Sequence, residues 1–410
     1  MLLQLLTFAS VMKSIGGVLL AIAILLAMVT IHEFGHYIAG KILGFKINEF
    51  SVGFGPAIFK KRSKKTGELF ALRVIPLGGY CAFDGEDEEE TPQNKEQEKE
   101  EPFGDLTPSE TKNEGGMYEA NAEKEENCKE YPEPKGERFN DQPPWKRILV
   151  LIAGATMNYL LALVLIVIMF ACIGRPMYKV VEKIEPNAEG TSVKAILEED
   201  DLLVGDVIVA IEGKNVYMIT DYMDVLDGKV AGDTVTLTVL RGEEKKDVPL
   251  TLKQNADFAN MSDTSALLYA MGIQSMYAVT VQEGFFPAIG HSFAYSVKIG
   301  GTVLRSLGEL LTGKLGIDSM GGPITTIQVT AQAASNSLLS FLNIAAFIGV
   351  NLAVFNLLPV PALDGCKVIF CIIEWIRKKP VNRKVEAMIH FIGIIFLFGF
   401  AILVDLLQLF

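Results

Sequence analysis

The sequence is poor in charge, in histidine and in tryptophan. Only 21% of its 410 residues are charged while 50% are hydrophobic, which excludes a disordered chain and argues against an ordinary water-soluble domain. A basic excess is also missing, with 37 Lys and Arg against 49 Asp and Glu, so a nucleic-acid binder is not expected. The five cysteines are scattered, which rules out a disulfide scaffold. What the chain has in quantity is apolar surface, with a mean hydropathy of +0.31, and a membrane protein is the first expectation.

The net charge of -12 is concentrated in one place. Asp84 to Arg138 holds 20 acidic and 7 basic residues, leaving the remainder close to neutral. Gly, Pro, Asn and Gln recur through that stretch and large aliphatic residues are scarce, the composition of a solvated, disordered insertion.

Four uncharged tracts are long enough to cross a bilayer at 1.5 Å per residue. The first runs from Ser14 to Ile31, the second from Ile148 to Ile173 behind Trp145, Lys146 and Arg147, the third near Leu338 to Leu358, and the fourth from Ala387 to Val404, interrupted in polarity only by His390. Phe285 to Leu311 is broken by Lys298, Arg305 and Glu309 and reads as an interfacial amphipathic helix. Gly321, Gly322 and Pro323 read as loop or reentrant structure. Basic residues flank the spans on one side: Lys41 to Lys65, Lys146 and Arg147, and Arg377 to Lys384. These groups are expected in the cytosol, with residues 175 to 320 outside.

The end of the first span carries His32-Glu33-Phe34-Gly35-His36, an H-E-x-x-H pattern. On a helix the two histidines project from one face, one turn apart, and can reach one Zn2+ at about 2.0–2.1 Å each. Glu33 can hold and deprotonate a water that the ion has acidified. A catalytic zinc usually has three protein ligands, and the best further candidate is Asp364, the first charge after the long tract ending at Leu363. Pro359 and Pro361 break the helix before it and Gly365 permits a tight turn, so the carboxylate can be aimed at a site. Its alternative is a cap on the following helix. Beside the H-E-x-x-H, the ligand reading is favoured.

With these motifs in place, most of the chain outside the acidic insertion resembles the site-2 protease family of intramembrane zinc metalloproteases, in particular its bacterial RseP/RasP-like branch. The resemblance rests on His32, Glu33 and His36, on the N-x-x-P-x-P-x-L-D-G from Asn356 to Gly365, on Gly67 to Tyr80, similar to a membrane-reentrant β-hairpin, and on Gly322-Pro323. It implies that Asp364 is the third zinc ligand and that Asn356 holds the extended backbone of the substrate. The usual A-G-P-x-x-N of the second span stands here as Ala153 to Asn158 without its proline, and Asn158 is a further polar contact for substrate or for a neighbouring helix. Cys366 replaces a second glycine after Asp364-Gly365 and reads as a small buried hydrophobe.

Between the second and third spans, Gly205 to Val216 resembles the signature of a PDZ domain in permuted form, and one such domain fits. The stretch Leu197 to Leu202 lengthens the turn before it. The expected architecture is a polytopic α-helical membrane protein of about four spans with a reentrant β-hairpin and one extracytoplasmic PDZ domain. Its boundaries are 1–83 for the first span, zinc motif and hairpin, 84–140 for the insertion, and 141–176 for the second span. The PDZ domain takes 177–258, the interfacial helix and G-P loop 259–337, and the last two spans 338–410.

The expected activity is zinc-dependent cleavage of single-pass membrane proteins, such as anti-sigma factors or signal-peptide remnants, already shortened by another protease. The place is the bacterial cell membrane, with the lipid bilayer as partner and no nucleic acid. A metal transporter would need polar ligands repeated along several spans, and the sequence has none. A silent scaffold is opposed by the intact H-E-x-x-H and Asp364.

Overall fold

The computed structural model describes residues 2–86, 131–183, 185–186, 192–193, 202–258, 263–317 and 320–409. Most of the acidic insertion, and the stretch Leu197 to Leu202 up to Asp201, lie outside the described residues.

Leu, Ala, Ile and Met, all compatible with helix, fill α1 (Leu2–Leu43) without an internal proline. Its membrane-length part, Ser14–Leu43, runs well past the last uncharged residue, Ile31. The H-E-x-x-H pattern therefore lies inside a continuous helix instead of at its end, because the helix is sustained by packing against α2 (Pro144–Cys172) after its own charge-free run is over. With α2, α7 (Leu338–Asn356) and α9 (Arg383–Leu409), it gives four helices among the described residues that are long and apolar enough to cross a membrane. In lipid this choice is dictated by the backbone, since a helix satisfies its own amides and carbonyls.

After α1 the chain forms β1 (Ile47–Arg62) and β2 (Leu69–Phe83), which pair with each other in a doubled register. Val52 faces both Gly79 and Leu72, and Phe50 faces both Cys81 and Phe70, while Arg62 pairs with Leu69. Each long strand is bent into two, so that 79–83, 47–52, 69–73 and 57–62 lie side by side. The bends sit at Gly53, Gly55 and Gly78, with φ of +86°, +83° and +119°, values that penalise a side chain. A simple hairpin is what the sequence pattern predicts; the left-handed glycines fold it back on itself.

A six-stranded sheet follows α2. Strands β3 (Arg175–Lys183), β6 (Val207–Ile211), β8 (Thr234–Arg241), β9 (Glu244–Thr251) and β10 (Ile273–Val281) are ordered β10-β3-β6-β8-β9, with β7 (Lys214–Asn215) beside β6; a separate pair joins β4 (Glu185–Pro186) to β5 (Ser192–Val193). Alternation along β8 sends Val235, Leu237 and Val239 inward to meet Ile208, Ile211, Val248 and, from α3 (Ile219–Leu226), Tyr222 and Leu226. Complete burial of such a side chain contributes roughly 1.5–3 kcal/mol. Helix α4 (Thr264–Ala270) closes the core with Leu267 and Ala270. The Gly205-Asp206 step has a physical role: buried Asp206 takes two hydrogen bonds from Arg241, at 2.8 and 2.7 Å, and one from the Leu203 amide at 2.8 Å.

The sheet leads into α5 (Phe285–Leu311), which buries Tyr295, Ile299 and Val303 against α2 and α7. Its charges turn to the sheet domain, Lys298 pairing with Asp221 and Arg305 with Asp224 of α3. Gly321 and Gly322 form a loop, as the sequence suggests, and helix α6 (Pro323–Asn336) begins at the proline that follows them. Proline suits the first turn of a helix, whose amides lack intrahelical partners. Asp405, distant in sequence on α9, accepts from the Ile324 and Thr325 amides at 3.0 and 3.1 Å, a cap that the local sequence does not contain. Helix α8 (Asp364–Arg377) returns beneath α2, where buried Arg147 pairs with Glu374 at 2.9 Å.

Candidate metal centre

Residues from α1, α2, α8 and β2 converge on one cavity of about 340 Å³, lined by His32, Glu33, His36, Tyr80, Cys81, Leu151, Asp364 and Lys367 among others. Close helix approach makes the convergence possible. A Cβ at Gly35 would stand 2.5 Å from the Ala153 carbonyl oxygen, and one at Gly154 would overlap His36 Nε2 and lie 2.8 Å from His32 Cε1. Gly35 thus lets α1 approach the α2 backbone, and Gly154 leaves room for the two imidazoles between the helices.

Both histidines turn Nε2 toward Asp364 Oδ2, at 3.1 Å from His32 and 3.3 Å from His36, and the two Nε2 atoms are 3.2 Å apart. The sequence places these residues far apart; the fold makes them three corners of one nearly equilateral triangle. Tetrahedral zinc ligands at 2.0–2.1 Å would stand about 3.3 Å from one another, which matches the triangle. Asp364 Oδ2 is buried and has no hydrogen-bond partner. A cation among the three atoms satisfies them all, so the residues fit a zinc ion.

The ring tautomers follow from the atoms behind the cradle. His36 Nδ1 lies 2.8 Å from the Val150 carbonyl, to which only an N–H can donate, leaving Nε2 with its lone pair toward the triangle. His32 Nδ1 faces the amides of Asn158 at 3.4 Å and Asn356 at 3.5 Å. With Nε2 serving a metal, Nδ1 must carry the proton and needs an oxygen in front of it. Asn158 supplies one: its Oδ1 is buried without a partner, and turning the amide by 180° brings that oxygen to His32. Both asparagines named from the sequence therefore reach the site, on the far side of His32 from the cradle.

Glu33 stays out of the triangle. Its carboxylate takes a hydrogen bond from the Cys81 amide and sits close to Gly79, where a Cβ would come within 3.2 Å of its Cγ. Opposite, Lys367 pairs with Glu86 at 2.6 Å, and both line the cavity. Cys366 is buried away from solvent, and burial pushes its thiol up. The sequence reading overlooked the Val150 carbonyl, Gly35 with Gly154, and the Lys367–Glu86 pair. The glycines had a signal, small residues beside the motifs on both helices; a carbonyl has none, because every residue carries one.

Four membrane-length helices around two histidines, a carboxylate and a neighbouring glutamate define a metal-dependent hydrolase set in the membrane. The model of Peptidase family M50, the site-2 protease family, matches residues 20–400, and the chain belongs to that family. It is 28% identical over 426 residues to the regulator of sigma-W protease RasP of Bacillus subtilis, covering 93% of this chain and 96% of that one. It is similar also to putative zinc metalloproteases of Staphylococcus aureus, 29% over 417 residues with 92% and 94% covered, and of Agrobacterium fabrum, 28% over 397 residues with 94% and 93% covered. The protein is a multi-pass membrane zinc metalloprotease whose cofactor is Zn2+.

Proposed function

We propose that this protease cuts single-pass membrane proteins near the cytosolic side of the bilayer, with His32, His36 and Asp364 holding the zinc and Glu33 moving the protons. The observation that carries the reading is the triangle of donor atoms 3.1–3.3 Å apart with Glu33 beside it. Bound zinc supplies a Lewis acid that polarises a carbonyl and acidifies water. Glu33 takes the proton of the attacking water and returns it to the amide nitrogen that leaves. The Cys81 amide keeps the Glu33 carboxylate turned into the cavity during both transfers.

The segment Tyr80 to Phe83 lines the same cavity and is an outer stretch of the folded β1–β2 sheet, paired on one side only with 47–52. Its free edge suits an unwound substrate segment added as a further strand. Exposed Phe54, Ile58, Phe59, Leu72, Val74 and Ile75 support a membrane-reentrant position for this sheet. Lys and Arg clustered at the ends of the spans support a cytosolic insertion and an outside position for the β3–β10 domain. We take that domain to be a single permuted PDZ unit that screens substrates already shortened by another protease. The Bacillus subtilis relative is named as a regulator of sigma-W, and we take anti-sigma factors as one substrate class and signal-peptide remnants, which share the single-pass form, as another.

The test is zinc analysis of the enzyme purified in detergent, with cleavage of a model single-pass substrate. Glu33→Gln is expected to keep its zinc and lose cleavage by about a hundredfold or more, and Asp364→Asn to lose zinc. Equal cleavage by wild type and Glu33→Gln would overturn the assignment.

A further inference from the structure

His390 has no part in the chemistry above. It is the single strongly polar side chain within the fourth uncharged tract, and it points at the loop that delivers Asp364. The Ala362 amide donates to His390 Nδ1 at 3.1 Å. Ala362 has φ of +78°, in the left-handed region where a residue with a Cβ is strained. One helical turn further along α9, Gly393 meets the same loop: a Cβ there would overlap that of Pro361 and stand 2.7 Å from its carbonyl carbon. The imidazole also packs on Phe370 of α8, with ring centroids 5.9 Å apart and planes inclined at 60°. A hydrogen bond and a close backbone approach, three residues apart on one helix, thus grip two successive residues of the loop.

We infer that α9 is a clamp which holds Pro361-Ala362 in its strained turn, and that His390 and Gly393 are positioning residues for the metal ligand Asp364. The geometry helps explain why Asp364 points at two histidines although it opens a helix. The chain from Pro361 to Asp364 is three peptide units, so a turn that relaxes at Ala362 swings the carboxylate. His390 is neither one of the residues lining the cavity nor one of the three donors, and its hydrogen bond is made to the loop. The inference rests on Asp364 being a ligand, as proposed above.

The test follows zinc release from the full-length enzyme in detergent into an excess of chromogenic chelator. His390→Leu removes the acceptor and is expected to speed release roughly tenfold or more, the usual size of a lost supporting contact. His390→Asn places Oδ1 where Nδ1 stood and is expected to restore slow release. Ala362→Gly added to His390→Leu is expected to restore it as well, because glycine adopts the left-handed turn without help. Gly393→Ala should speed release by displacing Pro361, and carries the test alone if His390→Leu does not fold. Wild-type release from His390→Leu, or no recovery on adding Ala362→Gly, overturns the clamp. Asp364→Asn is the control: if it does not speed release, the ligand assignment fails; if it does while His390→Leu and Gly393→Ala do not, only the clamp fails.

Discussion

The two sides of the metal cradle are held in different ways. His32 and His36 ride on one rigid helix, their spacing fixed by its 3.6-residue period and their separation from α2 set by Gly35 and Gly154. Asp364 sits at the mouth of a loop that contains two prolines and a left-handed alanine, steadied by a helix further along the chain. The first side is built by local geometry and the second by tertiary contact. The difference teaches that one site can contain a part that tolerates little change in volume and a part that tolerates little change in hydrogen bonding.

The largest effect is expected from crowding the helical side. Gly154→Val should abolish both zinc binding and cleavage, since even a Cβ there overlaps His36, while Gly399→Ala, with open space around it, should leave both unchanged; zinc per mole of purified protein checks each. A smaller effect is expected behind His32. Asn158→Leu should weaken zinc by roughly ten- to a hundredfold in chelator competition, whereas Asn158→Asp, which still offers an oxygen to Nδ1, should bind zinc more tightly than the leucine variant. If Asn158→Leu binds zinc like wild type, the tautomer of His32 is fixed by something else.

The smallest effect concerns the loop side. Burial pushes the thiols of Cys366 and Cys371 up, the latter to about 11, so near neutral pH both are almost wholly protonated and slow to alkylate. Labelling of Cys371 should rise with pH through about 11, read by mass spectrometry of the alkylated protein. Rapid labelling of Cys366 at neutral pH would show that the loop opens and that the contrast between the two sides is sharper than the static contacts indicate.

What the sequence disclosed follows the same division. His32, Glu33 and His36 were legible because their chemistry is written at one fixed spacing on one helix, and the spans because lipid demands long apolar runs. Asp364 was legible only as the first charge after an uncharged tract, helped by resemblance. The reach of α1 past Ile31, the folding back of β1 and β2 and the helix beginning at Pro323 were not, because each depends on a partner far along the chain: α2, a set of left-handed glycines acting together, and Asp405. His390 was visible as an oddity in an apolar helix, but its meaning is a hydrogen bond to a backbone amide, which no side-chain pattern encodes.

The dependence of the Asp364 loop on α9 has a consequence for biosynthesis. A ribosome makes His32 and His36 long before Asp364, and makes the helix that steadies the loop later still. During that interval the nascent chain carries a histidine pair and a glutamate inside the membrane beside other emerging proteins, without the third corner of the cradle. Until α9 has been made and has seated on Pro361 and Ala362, the contacts that steady the third corner of the cradle are missing.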